Sequence, residues 1–254
     1  MKQIPNLFTL LNLFLGCIAI VFMIQNGITI YAVNGTSQLI DMPEQIWMAS
    51  LFIGIAAVVD FLDGFVARLF KASSEMGKQL DSLADVVSFG VAPGMILYQF
   101  LRLSIAREAN GIDASIAWLV PAFIVPCAAA WRLARFNLDT TSQSNFRGVP
   151  VPAVGLLVAS FPLIYWSVST QEARELLLSK WLIYGVIAVV SGLMVSTLPM
   201  LGFKFKNLGV ADNLPRYIVI GVAVIGAIFL QWLAVPLVFL AYVLISLLFK
   251  NKIA

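Results

Sequence analysis

The stretch Asp60–Asp85 reads DFLDGFVARLFKASSEMGKQLDSLAD, and the chain is organised around it. It holds the carboxylates Asp60, Asp63, Asp81 and Asp85, the guanidinium of Arg68, and Gly64 and Gly77, with apolar sequence on both sides. Asp60 and Asp63 are three residues apart, and Asp81 and Asp85 are four apart. On a helix either spacing puts both side chains on one face. Two neighbouring helices would therefore each present a pair of carboxylates. Set side by side, such pairs suit hard divalent cations, which take oxygen ligands.

Burying carboxylates is unfavourable unless they are paired or bind metal. Four of them close together repel, and two Mg2+ or Mn2+ ions would offset that repulsion. Paired ions of this kind assist displacement at phosphorus. Gly64 and Ala67 keep the region free of bulk. Arg68 follows Gly64 by four residues and Asp60 by eight, on the same helical stripe, and a guanidinium there suits a phosphate. The competing reading has two helix ends whose acids face water, with Arg68 and Lys71 as ion-pair partners.

Composition points to a membrane protein. Of 254 residues, 61% are hydrophobic and 11% are charged, too apolar for an ordinary soluble domain. The net charge of +3 is small and gives no sign of nucleic-acid binding. There is no His, so no imidazole base or ligand exists. Cys17 and Cys127 fall in apolar segments and read as packing residues. A metal here must be held by oxygen, which favours Mg2+ or Mn2+ over Zn2+.

The run Asp60-x2-Asp63-Gly64-x2-Ala67-Arg68-x8-Gly77-x3-Asp81-x3-Asp85 resembles the signature of the CDP-alcohol phosphotransferase family, with eight typed positions matched across 26 residues. The resemblance implies an integral membrane enzyme that joins an alcohol to the phosphoryl group of a CDP-linked donor and releases CMP. The segments Asp81-Ser-Leu-Ala-Asp85-Val-Val-Ser-Phe-Gly-Val-Ala-Pro-Gly, Arg132-Leu-Ala-Arg135-Phe-Asn137 and Arg147-Gly-Val-Pro-Val-Pro152-Ala are similar to the CDP-diacylglycerol–serine O-phosphatidyltransferase branch. Departures from that branch stand at Phe65, Gln79 and Val149, none of them a metal ligand.

Taken in order, the chain reads as an all-α polytopic bundle of about eight spans. They are expected near 7–23, 46–70, 78–103, 116–134, 150–168, 181–198, 217–230 and 233–249, the last two joined by a tight hairpin. The first is expected to be an uncleaved helix, since Asn12 interrupts its apolar run and no small-x-small cleavage site follows. The chain forms a single integral membrane domain, with a catalytic core of about 5–168 and C-terminal spans over 181–249. With both termini in the cytoplasm, that side receives Lys2, Arg68, Lys71, Lys78, Arg132, Arg135, Arg147, Lys204, Lys206, Arg216, Lys250 and Lys252. The outer side receives only Arg102, Arg107, Arg174 and Lys180. This bias puts the aspartates at the cytoplasmic face of the cell membrane.

The family resemblance also implies roles. Asp60, Asp63, Asp81 and Asp85 would hold two divalent ions on the donor's diphosphate, and Asp85 would act as general base. The donor, CDP-diacylglycerol, would meet Asp60, Gly64, Arg68 and Ser74. Asn6, Thr9, Asn12 and Gly16 form a small and polar stripe, read either as a packing seam or, by resemblance, as a wall of the nucleotide pocket. Thr9 and Asn12 are accordingly expected at the donor. Arg132, Arg135 and Asn137 would receive L-serine, since arginine forks fit its carboxylate, although both arginines would equally serve as headgroup-level anchors. A homodimer is expected. Glycerol 3-phosphate or an inositol phosphate would be alternative acceptors. A cation-coupled transporter is the rival class, but it would place acids near mid-membrane and often carry repeats.

Overall fold

The computed structural model describes residues 4–25, 29–33, 36–41, 45–69, 74–108, 114–138, 146–202 and 209–249. Lys2, Lys71, Lys204, Lys206, Lys250 and Lys252, which contribute to the charge bias, lie outside the described residues.

Helices dominate. In order they are α1 (Ile4–Gln25), α2 (Ile46–Leu69), α3 (Glu75–Asp85), α4 (Ala92–Ala106), α5 (Ile124–Leu138), α6 (Val151–Ser167), α7 (Gln171–Leu177), α8 (Lys180–Val195), α9 (Val210–Leu230) and α10 (Ala234–Leu248). Two small antiparallel sheets join them. One pairs β1 (Thr29–Val33) with β2 (Thr36–Asp41), in the segment between α1 and α2. The other pairs β3 (Phe146–Arg147) with β4 (Pro199–Met200).

The central element is a rod, Glu75–Ala106, 32 residues long. It begins at a cap: Ser74 Oγ accepts from the Gly77 amide at 3.0 Å. Glu75 in the first turn complements the positive end of the helix. Its middle, Val86–Val91, winds as a π-helix between α3 and α4. Such wide turns are uncommon and often accompany functional sites. Here the π-turn follows Asp85 directly and aims Ser88 and Phe89 into the protein, both with 0% exposure.

Around this rod pack α1, α2, α5, α6 and α8. Phe89, Ile96, Leu97, Phe100 and Leu101 of the rod form a shared core with Ala49, Ile53 and Ala56 of α2 and Val154 and Val158 of α6. The opposite faces are apolar and outward: Leu7, Phe14, Val58, Phe61, Ile228 and Phe229 are all exposed. Large apolar side chains covering the outside are what a lipid solvent requires.

Among the described residues, four helical stretches are long and apolar enough to cross a membrane: Pro5–Gln25, Ile46–Leu69, Glu75–Ala106 and Asn213–Leu248. The last folds back on itself, as the sequence suggests. Gln231 takes φ 48°, a Cβ on Gly226 would lie 3.1 Å from that of Ala234, and α9 packs against α10. The expected span near 181–198 is α8, and the short α7 before it meets it at 52°. The one near 116–134 starts as 3-10 turns at Ile116–Trp118 and Val120–Phe123, because Pro121 and Pro126 remove amide donors from its first half. Cys17 and Cys127 are free and exposed, so they lie on the outer surface and not in the core.

Candidate metal and phosphate site

The site forms where the end of α2 meets the start of α3. Helical spacing carries Asp60 and Asp63 on adjacent turns of α2, and Asp81 and Asp85 on adjacent turns of α3. Carboxylate oxygens of Asp60, Asp63 and Asp81 all lie within 4.8 Å of one another. Asp85 lies beside Asp60, within side-chain hydrogen-bond range. Asp63 and Asp85 are buried, and Asp60 and Asp81 are partly exposed.

Among the described residues, no Lys or Arg forms an ion pair with any of these four carboxylates. Four acids without a basic partner, at a spacing close enough to share a ligand, fit a divalent cation well. The donors are all oxygen, so a hard ion such as Mg2+ or Mn2+ suits them. The arrangement does not suit acids that merely face water, because two of the four are buried.

The first helix completes the cluster. Thr9 Oγ1 donates to Asp63 Oδ2 at 2.9 Å, and Asn12 Nδ2 approaches Asp85 Oδ1 at 3.5 Å. Ser88 Oγ donates to the Asn12 carbonyl at 3.0 Å. Gly16 lies against Ser88, where a Cβ would come within 2.8 Å of Ser88 Cα. Asn6 sits beside Gly77, and a Cβ there would lie 3.1 Å from Asn6 Oδ1. The stripe Asn6, Thr9, Asn12 and Gly16 thus meets Gly77, Asp63, Asp85 and Ser88 in turn. It is a seam between α1 and the aspartate-bearing helices. The sequence gives Ser88 no role of its own: it stands three residues after Asp85, inside the segment that resembles the family branch.

Gly64 faces open space. A side chain there would meet only Arg68 Nη1, at 3.7 Å. Arg68 lies in the last turn of α2 and is exposed, with its guanidinium nitrogen Nη1 beside Gly64. Ser74 is exposed, with its hydroxyl oxygen used as the α3 cap.

The three residues expected at an acceptor separate. Arg132 is 5% exposed, its Nε lacks a hydrogen-bond partner, and it lies within electrostatic range of Asp85. Arg135 turns the other way: Nη1 and Nη2 donate to the carbonyls of Val195 and Ser196 at 2.7 and 2.8 Å. It closes the C-terminus of α8, where carbonyls lack helical partners. The segment after β3 helps. Gly148 N donates to Leu198 O and Val149 N to Leu193 O. Gly148 has φ +73°, and a side chain there would strike the Met194 carbonyl. Asn137 Nδ2 donates to Ser82 Oγ at 2.8 Å, and Lys78 Nζ donates to the Asn137 carbonyl. Two of the three residues thus hold helices together at the site's edge.

The model of the CDP-alcohol phosphatidyltransferase family matches residues 2–196. Three similar proteins are each named CDP-diacylglycerol–serine O-phosphatidyltransferase. The one from Helicobacter pylori is 33% identical over 202 residues, 79% of this chain and 72% of that protein. The one from Bacillus subtilis is 30% identical over 184 residues, 71% of this chain and 89% of that protein. The one from Saccharomyces cerevisiae is 40% identical over 125 residues, 46% of this chain and 41% of that protein. The matched region spans all four aspartates, the α1 seam and the α5–α8 clamp, and this chain belongs to the CDP-alcohol phosphatidyltransferase family.

Proposed function

We propose that this chain transfers the phosphatidyl group of CDP-diacylglycerol to the hydroxyl of L-serine, giving phosphatidylserine and CMP. The convergence of Asp60, Asp63 and Asp81, with Asp85 alongside and, among the described residues, no basic side chain paired to them, is the observation that carries this reading. The names of the similar proteins support the donor and the acceptor.

Asp60, Asp63, Asp81 and Asp85 would hold two divalent cations, Mg2+ or Mn2+. When bound, these supply positive charge against the diphosphate and the departing phosphate. The open face at Gly64 receives the cytidine, and Arg68 and Ser74 meet the nucleotide or its phosphates. Asp85 takes the proton of the serine hydroxyl. The serine oxygen bonds to the phosphorus that carries diacylglycerol, and the bond from that phosphorus to the bridging oxygen breaks. CMP leaves with that oxygen. The reaction needs no covalent intermediate. Arg132, buried and with an unpartnered Nε, receives the serine carboxylate, and Arg135 and Asn137 frame its helix at that edge.

The whole chain acts as a single integral membrane domain, with its catalytic core over about residues 5–168. Eight spans, cytoplasmic termini, an active site at the cytoplasmic face of the cell membrane and a homodimer complete the proposal.

The test is CMP release by purified protein in detergent, with CDP-diacylglycerol and Mn2+ or Mg2+. L-serine, glycerol 3-phosphate and an inositol phosphate are supplied separately, beside Asp85→Asn. Serine-dependent release that is lost in the variant is expected. Release with another alcohol alone overturns the acceptor and keeps the chemistry. No release with any alcohol, from folded protein that binds metal, overturns the transferase reading.

A further inference from the structure

We infer that Thr9 and Asn12 are positioning residues for the metal-binding carboxylates, acting through Asp63 and Asp85. This goes beyond the donor-wall role their sequence context suggests, and it rests on the metal reading above.

Three observations carry it. First, both side chains are buried: Thr9 is 3% exposed and Asn12 is 0% exposed. Secondly, each points at one ligand. The Thr9 hydroxyl lies 2.9 Å from Asp63 Oδ2, nearer than its alternative acceptor, the Pro5 carbonyl, at 3.2 Å. The Asn12 amide nitrogen points to Asp85 Oδ1. Thirdly, the Asn12 amide leaves its own Oδ1 buried and without a partner. A buried orphan acceptor is unfavourable. Turning the amide round would instead set that oxygen against a carboxylate oxygen. The amide nitrogen, not the oxygen, is therefore the atom that faces Asp85.

The backbone holds this arrangement from the far side. Ser88 on the π-turn donates to the Asn12 carbonyl, and Gly16 lets α1 and the rod approach closely enough for it. A carboxylate with one oxygen held by a protein donor has fewer orientations to lose when it takes a cation with the other. Groups that orient metal ligands in this way typically contribute about tenfold to a hundredfold to metal affinity. Between them Thr9 and Asn12 hold one carboxylate on each of the two helices, so α1 sets the distance between the two pairs.

The experiment measures Mn2+ binding to the purified full chain in detergent, without lipid substrate, from the electron paramagnetic resonance signal of free Mn2+. Thr9→Val keeps the shape and removes the hydroxyl, and Thr9→Ser keeps the hydroxyl. Thr9→Val is expected to weaken Mn2+ binding about tenfold or more, while Thr9→Ser restores most of the affinity. At saturating Mn2+, the KM for CDP-diacylglycerol should stay near that of the unsubstituted chain. Asn12→Leu, close in volume and without a donor, gives an independent arm should Thr9→Val not fold, and it too should weaken Mn2+ binding. Equal weakening by Thr9→Ser and Thr9→Val would mean packing alone and would overturn the proposal. Unchanged Mn2+ affinity with a raised KM for the donor would overturn it in favour of a substrate wall. If the unsubstituted protein binds no Mn2+, the metal reading itself falls, which is a separate result from the other two.

Discussion

Asn137, at the end of α5, donates through Nδ2 to Ser82 Oγ on α3 at 2.8 Å. Ser82 follows Asp81 directly, so this bond ties the C-terminal end of α5 to the turn that carries two of the carboxylates. Lys78 reinforces it from below, donating to the Asn137 carbonyl at 3.1 Å.

That bond should be energetically coupled to turnover. Asn137→Ala and Ser82→Ala are each expected to lower kcat several-fold, and the double variant to lose little more than either single one. Coupling of contacting residues is commonly about 0.5–3 kcal/mol. A double-mutant cycle on kcat/KM checks it. Strict additivity would show that the bond does not act on the site.

The aspartate cluster should make the metal-free protein less stable than its own substituted variants. Four clustered carboxylates, with no basic partner among the described residues, repel when no cation is present. Asp60→Asn, Asp63→Asn or Asp81→Asn should therefore raise the melting temperature in EDTA while abolishing activity. The same variants should lose the stabilisation that added Mn2+ provides. For the unsubstituted chain that gain is about 2.7 kcal/mol when free metal is a hundredfold above its Kd. Thermal unfolding followed with and without Mn2+ reads both effects. A fall in melting temperature for all three variants in EDTA would show that the cluster is held together by something other than a cation.

Arg135 is expected to behave as a structural clamp more than as a serine ligand. Its two bonds to the Val195 and Ser196 carbonyls are charge-assisted, a class worth about 1.5–3 kcal/mol each. Arg135→Ala should lower the thermal midpoint and leave the KM for serine within a few-fold. Arg132→Ala should raise that KM far more. Initial-rate kinetics over a range of serine concentrations separate the two residues, and the reverse pattern would exchange their roles.

Gly16 should tolerate no side chain. A Cβ there would stand 2.8 Å from Ser88 Cα and 3.0 Å from Ser88 Cβ, both within the rod and neither able to swing away. Gly16→Ala should push α1 off the π-turn and loosen the Ser88–Asn12 bond. The expected result is reduced monodisperse yield on size exclusion and weakened Mn2+ binding. Gly54, with nothing within 4 Å of its Cβ position, serves as the control, and Gly54→Ala should be neutral.

Much of the site was legible in the residues alone. Carboxylates spaced three and four apart share a helical face whatever the surroundings, because 3.6 residues complete a turn. The membrane character was equally legible, since it follows from composition and needs no contacts. The hairpin at Gln231 was legible too: two apolar spans met with almost no linker between them. What could not be read was which residue meets which across long stretches of chain. Thr9 reaches Asp63 over 54 positions and Asn12 reaches Asp85 over 73. The polar stripe on α1 suggested a seam or a pocket wall with equal force, because periodicity gives a face and says nothing of what lies opposite. Arg132 and Arg135 looked like one pair for the same reason. Only the packing of α5 between the rod and α8 sends one guanidinium into the protein and the other to the open carbonyls of a helix end. Local spacing determined the chemistry on offer. The tertiary structure decided which groups are left free to use it, because burial and hydrogen-bond partners are properties of neighbours in space.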